Sequence, residues 1–211
     1  DQDQEALGRL QRMTAPFILR RLKTDVLKEL PDKLEHAVYA QMTDEQNKLY
    51  TANALKLQKD LEQQSDSMFK TSKIQILAEL TKLRQLCCDP SLIYQNYHGG
   101  SAKLDTCIQL IENAMAGGHK ILLFSQFTSM LDVIERRLKT EHILYYRLHG
   151  STKSEQRTRL VNAFNENNVP VFLISLKAGG TGLNLTGADI VIHYDPWWNA
   201  AAQNQATDRA H

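Results

Sequence analysis

The chain has 211 residues, a formal net charge of +1 and 42% hydrophobic residues. That length allows one or two domains with a substantial core. No apolar run reaches the ~20 residues of a membrane-spanning helix, none sits at the N-terminus as a secretory signal would, and near-neutral charge does not advertise a nucleic-acid binder. The chain begins Asp1-Gln2-Asp3-Gln4 and stops at His211 straight after a helical pattern, as expected of a piece of a longer protein. Cys87, Cys88 and Cys107 show no CxxC spacing for zinc, and adjacent cysteines rarely pair. Reduced thiols are expected.

In chain order, Leu7, Leu10, Met13, Phe17, Leu22, Val26, Leu27 and Leu30 mark amphipathic helices broken at Pro16 and Pro31. Between Arg9 and Lys33 seven basic residues face three acidic ones, a run that alone is weak support for phosphate binding. Residues 34–42 alternate and read as a strand. Thr43-Asp44-Glu45-Gln46 has the form of a capping box opening a helix towards Gln63. After a polar turn at Glu62–Ser67, Ile74, Leu77, Leu80, Leu83 and Leu86 form a second helical stripe, ended before Asp89-Pro90.

From Ser101 the texture changes. A helix over Ala102–Ala116 ends at Gly117-Gly118, and another covers Thr128–Lys139. Thr152-x-x-Glu155 reads as the capping box of a third, ending near Phe164. Strands are predicted over 120–125, 143–148, 169–175 and 189–194. Strands alternating with helices of this length define an α/β fold, a parallel sheet with helices on both faces. Such sheets bind ligands at the carboxyl ends of their strands.

Two stretches there could carry chemistry. Ser175 ends a predicted strand and is followed by Gly179, Gly180 and Gly182. Such a loop is either a tight connection or a nest of backbone N–H groups for phosphate. It lacks the GxGxxG spacing, and GxxxxGK[ST] occurs nowhere in the chain. In the second stretch, residues 203–211, Arg209 follows the last strand. It is either a helix-surface arginine or one that neutralises a transferring phosphoryl group, worth about 10³–10⁵ in rate.

The blocks PFILRRLKTDVLKELPDK (16–33), LRQLCCDPSLI (83–93), SAKLDTCIQLI (101–111), KILLFSQFTSMLDVIE (120–135), LHGSTKSEQRTRLVNAFN (148–165), SLKAGGTGLNLTGADIVIHYDPWWN (175–199) and QNQATDRAH (203–211) come in an order that resembles the C-terminal lobe of the SWI/SNF-type DNA-dependent ATPases, a branch of the superfamily-two helicases. They cover most of the chain, and the glycine loop with the final block is a highly specific pair. The wording Asp195-Pro196-Trp197-Trp198-Asn199 is nearer to bacterial members than to eukaryotic remodellers.

The resemblance implies a RecA-like parallel sheet flanked by helices, with an N-terminal helical extension. Residues 1–98 would be a brace and protrusion region, and 99–211 the helicase C-terminal lobe. It implies ATP and Mg2+ held mainly by a first lobe, whose phosphate loop is not in this sequence, so this chain alone is expected not to hydrolyse ATP. Arg209 matches the first of two catalytic arginines, the second falling just beyond His211. Gly180, Gly182, Gln205 and Arg209 match nucleotide-side positions, and Asp208 a brace of the lobe interface. Ser125, Gln126, Ser175, Lys177 and Thr181 match segments that meet the phosphate backbone of DNA, and Trp198 a DNA-facing tryptophan. For Trp197 core packing is the reading. Arg20 and Arg21 match the brace segment that couples the lobes. His149, Lys153 and Arg157 are either DNA contacts or helix surface.

The implied activity is ATP-driven translocation on double-stranded DNA, with salt-dependent binding nearly blind to sequence. The location would be the nucleoid-bearing cytoplasm of a bacterium or the nucleus of a eukaryote, with no membrane partner. Two alternatives stay open: a non-enzymatic nucleic-acid- or protein-binding module with a degenerate helicase fold, and an RNA-helicase lobe.

Overall fold

The computed structural model describes residues 34–63, 66–176 and 183–196, with isolated positions 6, 13 and 207, and for 66–72 the backbone alone. The helices expected before Pro31 and most of residues 177–182 and 197–211 lie outside the described residues, Thr207 apart. The chain divides into two compact units, 1–38 and 39–211. Residues 34–43 form no strand. An alternating segment becomes a strand only when a partner takes up its backbone groups. Among the described residues no strand lies beside it, and Leu34 and Tyr39 are exposed.

In the second unit, helix α1 (Asp44–Glu62) begins at Thr43, whose Oγ1 accepts the Gln46 N–H at 3.2 Å. Half of the expected capping box is missing. The Gln46 amide donates instead to the Leu86 carbonyl at 2.9 Å, near the end of helix α2 (Asp66–Cys88). Asn53 of α1 likewise donates to the Tyr94 hydroxyl at 2.9 Å. The Gln46–Leu86 bond joins the start of α1 to the end of α2, as in an antiparallel pair. The α2 stripe is buried only towards its C-terminal end: Leu86 is fully buried, whereas Ile74 and Leu77 are exposed.

Ser101 caps helix α3 (Ala102–Ala116) by accepting the Leu104 N–H. Its hydroxyl also donates to the Cys88 carbonyl at 2.7 Å, tying α3 to the end of α2. Gly118, at φ 76°, closes α3: its N–H reaches the Met115 carbonyl and that of His119 the Ala114 carbonyl. Strand β1 (Ile121–Ser125) follows, then α4 (Thr128–Thr140), β2 (Tyr145–Leu148), α5 (Ser154–Glu166), β3 (Val171–Ser175) and β4 (Ile190–His193).

All pairings are parallel, in the order β2-β3-β1-β4. β1 and β3 lie at the centre and are buried along their length. Their side chains alternate between two cores. Ile121, Leu123, Val171 and Leu173 pack with α3 and α4. Leu122, Phe124, Phe172 and Ile174 pack with Val161 and Phe164 of α5. The expected parallel sheet with helices on both faces is therefore observed.

Helix α5 starts one residue later than the sequence suggests. Lys153 is its N-cap, with no side-chain cap bond. The Thr152 hydroxyl is taken by the His149 N–H at 3.0 Å, which closes the turn after β2. The three cysteines are free. Burial pushes the Cys88 and Cys107 thiols up to about 12, so they are packing groups with little thiolate character.

Edge strand β2 is fixed to α4 by charge. Arg147, 9% exposed, reaches Asp132 at 2.6 Å and Glu135 at 2.5 Å. The Tyr145 hydroxyl donates to Glu135 at 2.6 Å. That bond, joined by those from Arg147 and Lys139, outweighs partial burial and holds the Glu135 carboxyl down to about 2. A depressed carboxyl adds stability above its ordinary value of 4.5 that is lost as pH falls towards 2. Glu135→Gln is expected to cost on the order of 1–2 kcal/mol at pH 7 and to flatten the pH dependence below 4.5. Urea unfolding from pH 7 to 2 checks this, and parallel curves for the two proteins would contradict it.

Helix α4 ends like α3, with the Ile143 N–H on the Leu138 carbonyl, but its left-handed position is His142 at φ 56°. His142→Gly removes the Cβ penalty there and should raise stability by about 0.5–1 kcal/mol in the same assay. A loss of stability would show that the imidazole makes a compensating contact.

Candidate functional site at the carboxyl edge of the sheet

Because the strands are parallel, Ser125, Leu148, Ser175 and His193 all end at one edge. Ser125 and Ser175 are direct register partners, 0% and 4% exposed. Leu176 and Leu185 are buried in the α5-side core, so both flanks of the glycine loop are anchored. Downstream, Asn165 of α5 donates to the Asn184 carbonyl and accepts the Gly187 N–H, both at 3.0 Å. A Cβ on Gly187 would sit 2.9 Å from the Asn165 Cα, so this approach requires glycine.

At the exit of β4 lies Asp195, 3% exposed. Its carboxylate accepts the Ser125 hydroxyl at 2.5 Å and the Gln126 N–H at 3.1 Å. Burial raises its pKa, and the bonds from Ser125 and Gln126 oppose the rise. Tyr194, also buried, donates to the Cys88 carbonyl at 3.0 Å. Arg84 of α2 closes the assembly. One arm donates to Gln126 Oε1 at 3.1 Å, another to the Pro196 carbonyl, and the guanidinium lies 5.9 Å from the Phe127 ring centre.

The structure thus brings Ser125, Gln126 and Ser175 to one edge. Ser125 spends its hydroxyl on Asp195, and Gln126 is half-buried. His149 and Lys153 are exposed beyond β2, while Arg157 folds back onto the Thr152 and Gly150 carbonyls. Lys177, Gly179, Gly180, Thr181, Gly182, Trp197, Trp198, Gln205, Asp208, Arg209, Arg20 and Arg21 lie outside the described residues. His193 Nε2 meets the Thr207 hydroxyl at 2.8 Å. Among the described residues no group of three or more His, Cys, Asp or Glu side chains could hold a metal ion.

Sequence reasoning passed over Arg84 and Asp195. The available signals were an arginine inside an apolar helix end and an acidic residue closing an apolar strand.

A parallel sheet covered on both faces, with its loops gathered at the carboxyl edge, is the layout that RecA-like helicase lobes share with other doubly wound α/β folds. Residues 102–211 match the helicase conserved C-terminal domain, and residues 1–92 the SNF2-related domain. The chain belongs to the SWI/SNF-type helicase family. It is 39% identical over 220 residues to the putative ATP-dependent helicase/translocase YwqA of Bacillus subtilis, covering 100% of this chain and 23% of that protein. It is 36% identical over 223 residues to the human SWI/SNF-related matrix-associated actin-dependent regulator of chromatin subfamily A member 1, covering 99% and 21%. The chain therefore spans about a fifth of the length of these curated relatives.

Among solved structures it resembles the Sulfolobus solfataricus SWI2/SNF2 ATPase C-terminal domain, with TM-score 0.71, 33% identity, and 82% and 76% of the two chains covered. It also resembles the ATPase core from that organism in complex with dsDNA, with TM-score 0.72, 32% identity, and 97% and 43% covered.

Asp195→Ala leaves the Ser125 hydroxyl and the Gln126 N–H without their acceptor. We expect a loss of about 1–3 kcal/mol by urea unfolding at pH 7. A change below about 0.5 kcal/mol would mean that water replaces the carboxylate.

Proposed function

We propose that this chain is the C-terminal motor lobe of an ATP-dependent DNA translocase or remodelling helicase. Residues 1–98 act as brace and protrusion, and 99–211 as the lobe. The observation that carries the reading is the single carboxyl edge where Ser125-Gln126, Ser175 and both flanks of the glycine loop converge. Membership of a family whose solved relatives include a core in complex with dsDNA supports it.

In this reading Gln126, Lys177, Thr181 and Trp198 meet the phosphate backbone of double-stranded DNA. Ser125 and Ser175 set the strand ends that present them. Hydroxyl, amide and lysine donors suit phosphate, which carries no sequence information. ATP binds in the cleft with the first lobe, which supplies the phosphate loop and holds magnesium. Gly180, Gly182 and Gln205 line the near side, and Arg209 neutralises charge on the γ-phosphate as the lobes close. Repeated closing and opening steps the motor along duplex DNA. The place of action is the cytoplasm with its nucleoid, or a nucleus.

In the full-length, two-lobed protein, Arg209→Ala should lower DNA-stimulated ATP hydrolysis by about 10³-fold while duplex binding stays within about threefold of the parent. Turnover equal to the parent's would refute the assignment.

A further inference from the structure

His193 ends β4 and Thr207 lies in the final block of the sequence, and the functional reading gives neither a role. Their side chains meet, with His193 Nε2 2.8 Å from the Thr207 hydroxyl. The imidazole is itself oriented by the sheet. His193 is the register partner of Phe124 in β1 and stacks on that ring, with 5.5 Å between ring centres and 20° between planes. Phe124 is fully buried in the α5-side core. The β1–β4 pair thus offers Thr207 a fixed hydrogen-bond partner at the carboxyl edge.

Thr207 is helical, within the helical pattern that the sequence carries towards His211. Each residue turns an α-helix by about 100°, so two residues turn it by about 200°. In such a pattern Gln205 and Arg209, four apart, share a face, and Thr207, two from each, belongs to the opposite one. The side that bonds the sheet and the side assigned to the nucleotide are therefore opposite sides of one helix. Ala200, Ala201, Ala202, Ala206 and Ala210 give this segment few large side chains to interlock with a neighbour. Contact through alanine does little to fix rotation about the helix axis, whereas a hydrogen bond is directional.

We propose that His193 is a positioning residue that, through Thr207, sets the rotation of the last helical segment and so the side from which Arg209 approaches ATP. This rests on the reading above that Arg209 neutralises charge on the γ-phosphate. The bond needs a hydroxyl at 207 and a polar atom at the reach of Nε2. Serine and glutamine meet those needs, whereas valine and alanine do not. An arginine that acts only as the lobes close is felt in kcat, and a misplacement of about 1 Å costs on the order of 10²-fold in rate.

The test uses the full-length, two-lobed protein, with DNA-stimulated ATP hydrolysis resolved into kcat and KM and duplex affinity measured beside it. Thr207→Val keeps the shape of the side chain and removes the hydroxyl, and His193→Ala removes the ring. Each should lower kcat about 10–100-fold, with KM for ATP and duplex affinity within about threefold of the parent. Thr207→Ser and His193→Gln should keep kcat within about threefold of the parent. The Thr207→Val, His193→Ala double variant should be no slower than the slower single variant, because both changes remove the same bond. Parental kcat in Thr207→Val, an equal loss in Thr207→Ser, or losses that multiply in the double variant would overturn the proposal. So would a fall in duplex affinity in step with kcat, which marks a damaged lobe. Parental turnover in Arg209→Ala overturns the functional reading and this inference together, whereas a slow Arg209→Ala beside an indifferent Thr207→Val overturns this inference alone.

Discussion

Four strands that run the same way must all end on the same side of the sheet, and everything at the candidate site depends on that constraint. β1 and β3 can be parallel neighbours because helices cover both faces, so every apolar side chain of the two strands finds a core. The crossovers that make the strands parallel also carry each chain segment back to the opposite edge. The loops that follow Ser125, Leu148, Ser175 and His193 are therefore gathered at one rim without any one of them needing to seek the others. A single apolar decision, repeated four times along the sequence, assembles a polar surface.

That rim has its own local ties. Asp195 stands at the β4 exit and takes donors from the β1 exit. A buried carboxylate is costly unless each oxygen has a donor. Here both oxygens do, and the cost of burial becomes a reason for the two exits to stay in register. The opposite edge is tied by other means. The Lys120 ammonium sits on the Phe164 and Asn167 carbonyls at the end of α5, and 4.1 Å above the Phe164 ring centre. Burial lowers its pKa by penalising the charged form, against the pull of the carbonyls and the aromatic face. Asp195 thus ties the β4 exit to the β1 exit at one edge, and Lys120 ties the start of β1 to the end of α5 at the other.

The parts of this design that repeat locally could be read from the sequence. KILLFS and VFLIS are short apolar runs between polar borders, and both are central strands. Ser101 and Gly117-Gly118 bracket α3 because capping needs a side-chain oxygen at one end and a left-handed residue at the other. What escaped the reading lacks a local period. Residues 34–42 alternate as a strand does, but alternation cannot name the edge it would need. Thr152 has the spacing of a capping box, yet the His149 N–H claims its hydroxyl first. Arg84 meets Gln126 across 42 positions and Pro196 across 112, separations that no window of hydrophobicity samples. The nucleotide-side assignments rest on family wording alone, since an arginine in a helical pattern has no signature of its own.

The route by which α2 meets the rim bears on how a motor could use it. An α-helix of 23 residues is about 34 Å long, a stiff rod on the scale of the lobe. At its C-terminal end the Leu86 and Cys88 carbonyls and the Arg84 side chain all have partners, in α1, in Ser101 and Tyr194, and in the two strand exits. Hydrogen bonds are directional where apolar packing is not. A rod joined through several of them transmits a change of angle better than one that rests on side-chain contact. Movement of α2 therefore arrives at Gln126 and Pro196 as a change of orientation rather than as a loosened contact.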